Sequence, residues 1–266
     1  MVSNVLLILL KNQVMANIIL SAIDTVPTKK FEKEPIKAKT KDYIDQLSEL
    51  QNLLFAQSKH SLLIILQGMD ASGKDGVIKE VFSGTNPMGC RVNGFKKPSE
   101  EEMGHEFLWR IHKNVPPKGM IHIFNRSHYE DVVIQRVHKW VDMPTIKRRY
   151  EHINAFEQLI QENNTIILKF YLHVSQKEQM ERLKERLSDP RKMWKYNPND
   201  LAESKRWNEY MSAYEDAFNA CGPKIPWIIV PSDKNWYKEY IVAKTIVEVL
   251  SNLKMEYPGL PGVKGS

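Results

Sequence analysis

Cysteine is nearly missing from this chain of 266 residues: Cys90 and Cys221 stand alone, with no CxxC pair. That excludes a disulfide framework and a zinc ribbon and fits a reducing cytoplasm. Long apolar runs are missing too. Val5 to Leu10 is a short one, after an uncharged start and before Lys11. A signal peptide would carry a basic beginning, and a membrane span takes roughly 20 apolar residues, so neither export nor a membrane partner is expected. Met15 offers a second start for translation, which would make the preceding residues an extension. There is no internal repeat at the periods of solenoids or propellers, and no interleaved aromatic motif of the RNA-binding kind, so nucleic acid is not an expected partner.

What is present suffices for one large core, since 42% of the residues are hydrophobic. The formal charge of +6 suits either an ordinary basic surface or a protein that attracts polyanions, and the two differ in whether the charge gathers near a site. Residues 24–41, rich in Pro, Lys and Thr, read as an extended arm. From Asp42 to Lys59, Ile44, Leu47, Leu50, Leu53 and Leu54 fall at helical spacing. Four apolar runs follow: Ser61 to Gln67, Met120 to Phe124, Thr165 to His173 and Trp227 to Pro231. Such runs mark buried parallel strands. The helices between them start at Ser99 with Glu102 as a capping box, at Thr145 and at Ser175. Alternating strands and helices predict an α/β fold, a parallel sheet covered on both faces. The expected division is an arm over 1–41, one domain over 42–258 and a flexible tail over 259–266.

The segment Gly68-Met69-Asp70-Ala71-Ser72-Gly73-Lys74 lies between the run LLIILQ and the helical GVIKEVF. Strand, glycine-bounded turn and helix start form the context of a phosphate-binding loop. Glycines let successive N–H groups face phosphate oxygens, the helix dipole adds partial positive charge, and Lys74 adds a full one. Asp75 stands where Ser or Thr commonly binds magnesium, and Asp70 adds an acid within the loop. Either carboxylate could hold the metal, and Asp75 reads equally well as a first-turn helix acid.

The run ending at Phe124 continues into Asn125-Arg126-Ser127-His128-Tyr129-Glu130-Asp131. Carboxyl ends of neighbouring parallel strands face one crevice, which puts this cluster beside the loop, with Arg126 as a phosphate ligand and Glu130 or Asp131 as a metal or hydroxyl partner. Taken alone, it also reads as a capped helix start. Downstream, Arg182, Lys184, Arg186, Arg191, Lys192 and Lys195 gather around Pro190 and Trp194. A charged stretch is ordinarily a solvated helix face; next to a phosphate loop, residues 182–205 read as a mobile basic lid. Phe95 to Lys97 and Trp109-Arg110 are either core and surface or the lining of an acceptor pocket.

Four segments together, GMDASGKDG, FNRSHYEDV, RLKERLSDPRKMWKYNPNDL and PWIIVPSDKNWYKE, resemble the polyphosphate kinase 2 family, from about Tyr43 to Pro258. The resemblance implies a thymidylate-kinase-like, three-layer α/β/α fold with a helical lid. It implies reversible, magnesium-dependent transfer, with manganese as a substitute, of the terminal phosphoryl of inorganic polyphosphate to ADP and AMP. Guanine nucleotides are further expected acceptors, and a homo-oligomer, dimer or tetramer, is expected. Carried onto matching positions, it makes Asp70, Lys74, Asn125, Arg126, Glu130, Arg182 and Arg186 catalytic, with Asp70 and Glu130 toward the metal. Candidate substrate contacts are Gly68, Ala71, Ser72, Gly73, Lys74, Asp75, Lys96, Lys97, Arg110, Arg126, Lys192, Trp194 and Lys195. Many members carry Asp at Asn125; the FNRSHYE form resembles the subclass that accepts both AMP and ADP. Two rival readings stay open: an ATP-dependent nucleoside or nucleotide kinase on the same scaffold, and a non-catalytic polyanion binder.

Overall fold

In the computed structural model, residues 17–28 and 30–259 are described. The run Val5 to Leu10, Met15 and the tail from 260 onward lie outside the described residues. Among the described residues the first α-helix, α1 (Lys33–Gln57), leads into β1 (Ser61–Gln67), the glycine-bounded loop 68–73 and α2 (Lys74–Val81). There follow β2 (Cys90–Gly94), α3 (Glu100–Met103), α4 (Trp109–His112), β3 (Ile121–Asn125), α5 (Glu130–Val137) and α6 (Met143–Glu162). The chain closes with β4 (Thr165–His173), α7 (Gln176–Ser188), α8 (Pro198–Ser204), α9 (Trp207–Cys221), β5 (Trp227–Pro231) and α10 (Asn235–Ser251).

Among the described residues five strands form one parallel sheet in the order β2-β3-β1-β4-β5. Every residue of β1 and β4 is buried, as a continuous apolar run between two helical layers requires. Alternation along the strand splits the core in two. Leu63 and Ile65 join Phe124 and Tyr171 against Val132 and Val133 of α5, Ile153 and Phe156 of α6 and Phe218 of α9. Leu62, Ile64 and Leu66 face the other way, against Leu47 and Leu54 of α1, Val77 and Val81 of α2 and Ile246 and Leu250 of α10. The three-layer α/β architecture expected from the alternating pattern is the one found. No helix among the described residues is long and apolar enough to cross a membrane.

Several boundaries differ from expectation. α1 begins at Lys33, not at Asp42: Ile36 packs against Tyr237 and Tyr240, and Thr40, Leu47, Gln51 and Leu54 carry the buried stripe onward. Only two of those residues in the first two turns are recognisably inward, so the lysines around them disguised the helix. The arm that remains is tied down, with Thr25 Oγ1 donating to Asp233 at 2.8 Å. β2 escaped the sequence reading because it is an edge strand with only Asn93 buried and so has no apolar run. The cap of α6 is Asp142, whose carboxylate accepts from the Thr145 N–H, so the helix starts ahead of Thr145 with Pro144 in its first turn. Ser99 and Ser175 cap as expected, Ser99 with the full capping box.

Candidate active site

β1 delivers the loop and α2 continues it. The left-handed backbone occurs at Ala71 (φ 61°) and Gly73 (φ 98°). The φ of 98° favours glycine at 73, and a Cβ there would lie 2.0 Å from the Lys238 ammonium, which would have to move aside. Lys74 folds back on the loop, donating to the carbonyls of Gly68 at 2.8 Å and Met69 at 3.2 Å. Burial, with Arg126 adding to it, lowers its ammonium to about 8. An anion set in the loop would therefore meet a lysine whose charge is held at some cost and that gains from a counter-charge.

The register Leu66↔Asn125 places the end of β3 beside the loop. Arg126, itself left-handed at φ 65°, ties its N–H to the Leu66 carbonyl. Its guanidinium lies between two acids, donating to Asp70 Oδ1 at 2.5 Å and standing 3.5 Å from Glu130 Oε2. Burial raises the Glu130 carboxyl above its ordinary value against the pull of Arg126 and Lys74. Gln179 Nε2 fixes the Asp70 carbonyl at 3.1 Å. Asn125 does not reach this group. Its amide donates to Asp75 Oδ1 at 2.9 Å, and Lys195 donates to the other Asp75 oxygen at 2.9 Å. Partial burial opposes ionisation of Asp75, but these two donors hold its carboxyl below the usual range.

The basic stretch divides. α7 stops at Ser188, a 3-10 turn covers Met193–Lys195, and α8 follows. Arg182 approaches the loop from behind: Nε donates to Glu178, one terminal nitrogen to the carbonyls of Ala71 and Ser72, the other to those of Ser232 and Asp233. All five guanidinium donors are thereby engaged. Arg186 turns to Asp200 at 2.6 Å, Lys192 pairs with Glu185 at 2.6 Å, and Trp194 is 77% exposed. Of the expected lid residues, Arg182 touches the loop through its carbonyls and Lys195 touches Asp75. Lys96 and Lys97 are exposed just beyond the end of β2. Arg110 is buried over the Phe95 ring, 3.6 Å from both Glu102 and Asp131. With Asp131, Gln135, Arg149 and Phe156 it lines a separate cleft of about 780 Å³. Burial pushes the Asp131 carboxyl up to about 6.

No group of three or more His, Cys, Asp or Glu residues is arranged to hold a metal ion among the described residues. Magnesium needs less: one or two carboxylates, with substrate phosphates and water completing its shell. Asp70 and Glu130, converging on one guanidinium beside Lys74, are a donor set of that kind and fit an ion that enters with phosphate.

Sequence reasoning overlooked Lys238, which donates to the Ser72 carbonyl at 3.2 Å and to Asn235 Oδ1 at 2.7 Å. The signal was there. Lys238, Val242 and Ile246 form an i, i+4, i+8 stripe that is buried throughout, and a lysine in an apolar stripe calls for a reason.

A family model described as polyphosphate kinase 2 matches residues 30–258. The AMP/ADP-polyphosphate phosphotransferase of Meiothermus ruber is 46% identical over 214 residues, 80% of either chain. The ADP-polyphosphate phosphotransferase of Rhodopseudomonas palustris is 42% identical over 228 residues, 81% of this chain and 79% of the relative. The crystal structure of polyphosphate kinase 2 from Arthrobacter aurescens TC1 superposes with a TM-score of 0.90 at 40% identity, covering 94% of this chain and 90% of that one.

Proposed function

The chain belongs to the polyphosphate kinase 2 family, and from that premise we propose that it transfers the terminal phosphoryl of inorganic polyphosphate to ADP and to AMP, reversibly and with magnesium, and to GDP and GMP as well. The observation that carries the reading is the convergence of Lys74, Arg126, Asp70 and Glu130 at the carboxyl ends of two adjacent strands. An oxygen of the acceptor's terminal phosphate attacks the terminal phosphorus of the polyphosphate. The P–O bond to the rest of the chain breaks, and the shortened polyphosphate leaves with the bonding pair. The attacking oxygen is already anionic, so no base need remove a proton.

The obstacle is repulsion among three negative groups. Catalysis then consists of alignment and charge neutralisation. Lys74 and the loop N–H groups hold one phosphate, and Arg126 is placed to stabilise the group in transit. Magnesium, when bound at Asp70 and Glu130, supplies further neutralisation. The base is not part of this recognition, which is why guanine nucleotides are included. Tolerance of AMP as well as ADP is inferred from the resemblance of the FNRSHYE form to the subclass that accepts both.

A donor-by-acceptor assay tests the proposal: polyphosphate or ATP against AMP, ADP, GMP and GDP, with magnesium. Polyphosphate with ADP yields ATP, and with AMP yields ADP. Absence of both products, together with phosphorylation of a nucleoside by ATP, would overturn it in favour of an ordinary nucleoside kinase.

A further inference from the structure

We propose that Lys238, on α10, is a positioning residue for phosphate binding: with Arg182 it grips the outer carbonyls of the loop, and its buried charge is completed by the anion the loop holds. The inference deepens the function proposed above and rests on it.

Lys238 is 1% exposed, and among the described residues its ammonium meets only neutral acceptors, the Ser72 carbonyl and Asn235 Oδ1. A buried cation with no bonded carboxylate is expensive to keep. The charges that face it are Arg182 and Glu178 of α7, Lys74 of α2 and Glu239 beside it on α10. Glu178 is engaged by Arg182 at 2.9 Å, and burial pushes the Glu239 carboxyl up to about 7. The facing cations are Arg182 and Lys74, the latter with Asp70, Glu130 and Asp75 of its own, while of the facing acids Glu178 is already engaged and Glu239 is only partly ionised at neutral pH. The missing counter-charge is that of a phosphate.

The geometry says what the lysine does there. In a trans peptide the C=O and the following N–H point in opposite directions. Ser72 C=O is drawn toward Lys238 at 3.2 Å and Arg182 at 3.0 Å, so the Gly73 N–H is aimed to the opposite side, away from both cations. Gly73 completes the fit by leaving room for the ammonium that a side chain would strike.

Burial, with Arg182 adding to it, lowers the lysine to about 7. An anion in the loop favours the protonated form and raises that value in the complex. The affinity Lys238 confers is therefore fully present below pH 7 and is lost as pH rises through the value in the complex.

The test compares wild type with Lys238→Met at pH 6 and pH 9, by calorimetric binding of tripolyphosphate and by KM and kcat for ATP formation from polyphosphate and ADP. At pH 6 the variant binds tripolyphosphate about tenfold more weakly, the equivalent of one pKa unit. At pH 9 the two proteins converge to within about twofold, and KM moves more than kcat throughout. The titration of free tripolyphosphate is common to both proteins and divides out of the ratio; Glu239, which Lys238 pulls down, titrates higher in the variant. A ratio that stays the same at both pH values, or unchanged binding with kcat alone reduced, would overturn the proposal. If Lys238→Met fails to fold, Lys238→Gln carries the same comparison. Wild-type turnover serves as the control: without it the proposed function fails, while the calorimetric ratio still judges Lys238.

Discussion

Asn125 offers the sharpest perturbation of the site, because one atom exchange reverses the sign of a contact. Its amide now donates to Asp75 Oδ1 at 2.9 Å. Asn125→Asp replaces that donor with a second carboxylate. If the two acids retreat to about 4 Å, their repulsion is about 1 kcal/mol in a water-like medium and about 4 at the dielectric of a surface pair. Asp75 is 62% exposed on its side chain, which favours the lower end, about 0.7 of a pKa unit or about fivefold in an equilibrium. One of the two carboxyls then titrates above its ordinary value. Since a raised carboxyl destabilises the fold only where it is ionised, the variant loses stability at pH 7 and regains it as pH falls toward 4. At roughly 2–4 °C per kcal/mol for a chain of this size, the expected drop in Tm at pH 7 is about 3 °C. A divalent cation turns repulsion into coordination. Magnesium should therefore close the gap at pH 7, and the magnesium concentration for half-maximal turnover should fall about fivefold in the variant. Melting curves at pH 7 and 4.5, with and without magnesium, read both effects. A stability gap indifferent to magnesium, or an unchanged magnesium requirement, would refute the reasoning.

Two further outcomes follow from contacts described above. Arg126→Ala removes the cation shared by Asp70 and Glu130 and should lower kcat by on the order of 10³ or more with the circular dichroism spectrum unchanged; turnover near that of wild type would remove Arg126 from the site. Lys169 is fully buried in β4, with its ammonium on Glu157 at 2.7 Å, the Tyr129 hydroxyl at 3.0 Å and the Cys221 carbonyl at 2.7 Å. Lys169→Met strands that buried carboxylate and should cost about 3–5 kcal/mol in denaturant unfolding. Adding Glu157→Leu should restore most of it, and a single variant as stable as wild type would contradict the buried-pair argument.

Four of the five strands were legible in the sequence because strands buried on both faces read as unbroken apolar runs, as SLLIILQ and TIILKFYLH do. The nearness of Arg126 to the loop was legible for a different reason: parallel neighbours end on the same side, so adjacency follows from topology. What stayed hidden shares a physical trait. Lys238 itself, and the partners of Arg182 though not Arg182, escaped the sequence: four of the five Arg182 bonds and one of the two of Lys238 go to main-chain carbonyls, which every residue possesses and no residue type advertises. Within the basic stretch, nothing in composition tells Lys195, which turns to Asp75, from Lys192, which turns to Glu185. That choice is made by where α7 stops and α8 begins. β2 was lost because an edge strand shows too little buried surface to leave a pattern.

The grip on the Ser72 carbonyl spans 110 residues to Arg182 and 166 to Lys238. On a ribosome adding about 5–20 residues per second, the loop therefore waits roughly 10 to 30 s for the last of these side chains to be made. In that interval β1, the middle strand of the finished sheet, has β3 available but lacks first β4 and then β5, and α1 lacks the α10 face against which Ile36 rests. The nascent chain carries every glycine of the loop long before the loop has its mature surroundings. On the function proposed above, capture of phosphate belongs to the completed polypeptide, and a truncation ahead of residue 238 would keep the whole motif yet lack the lysine that grips the Ser72 carbonyl.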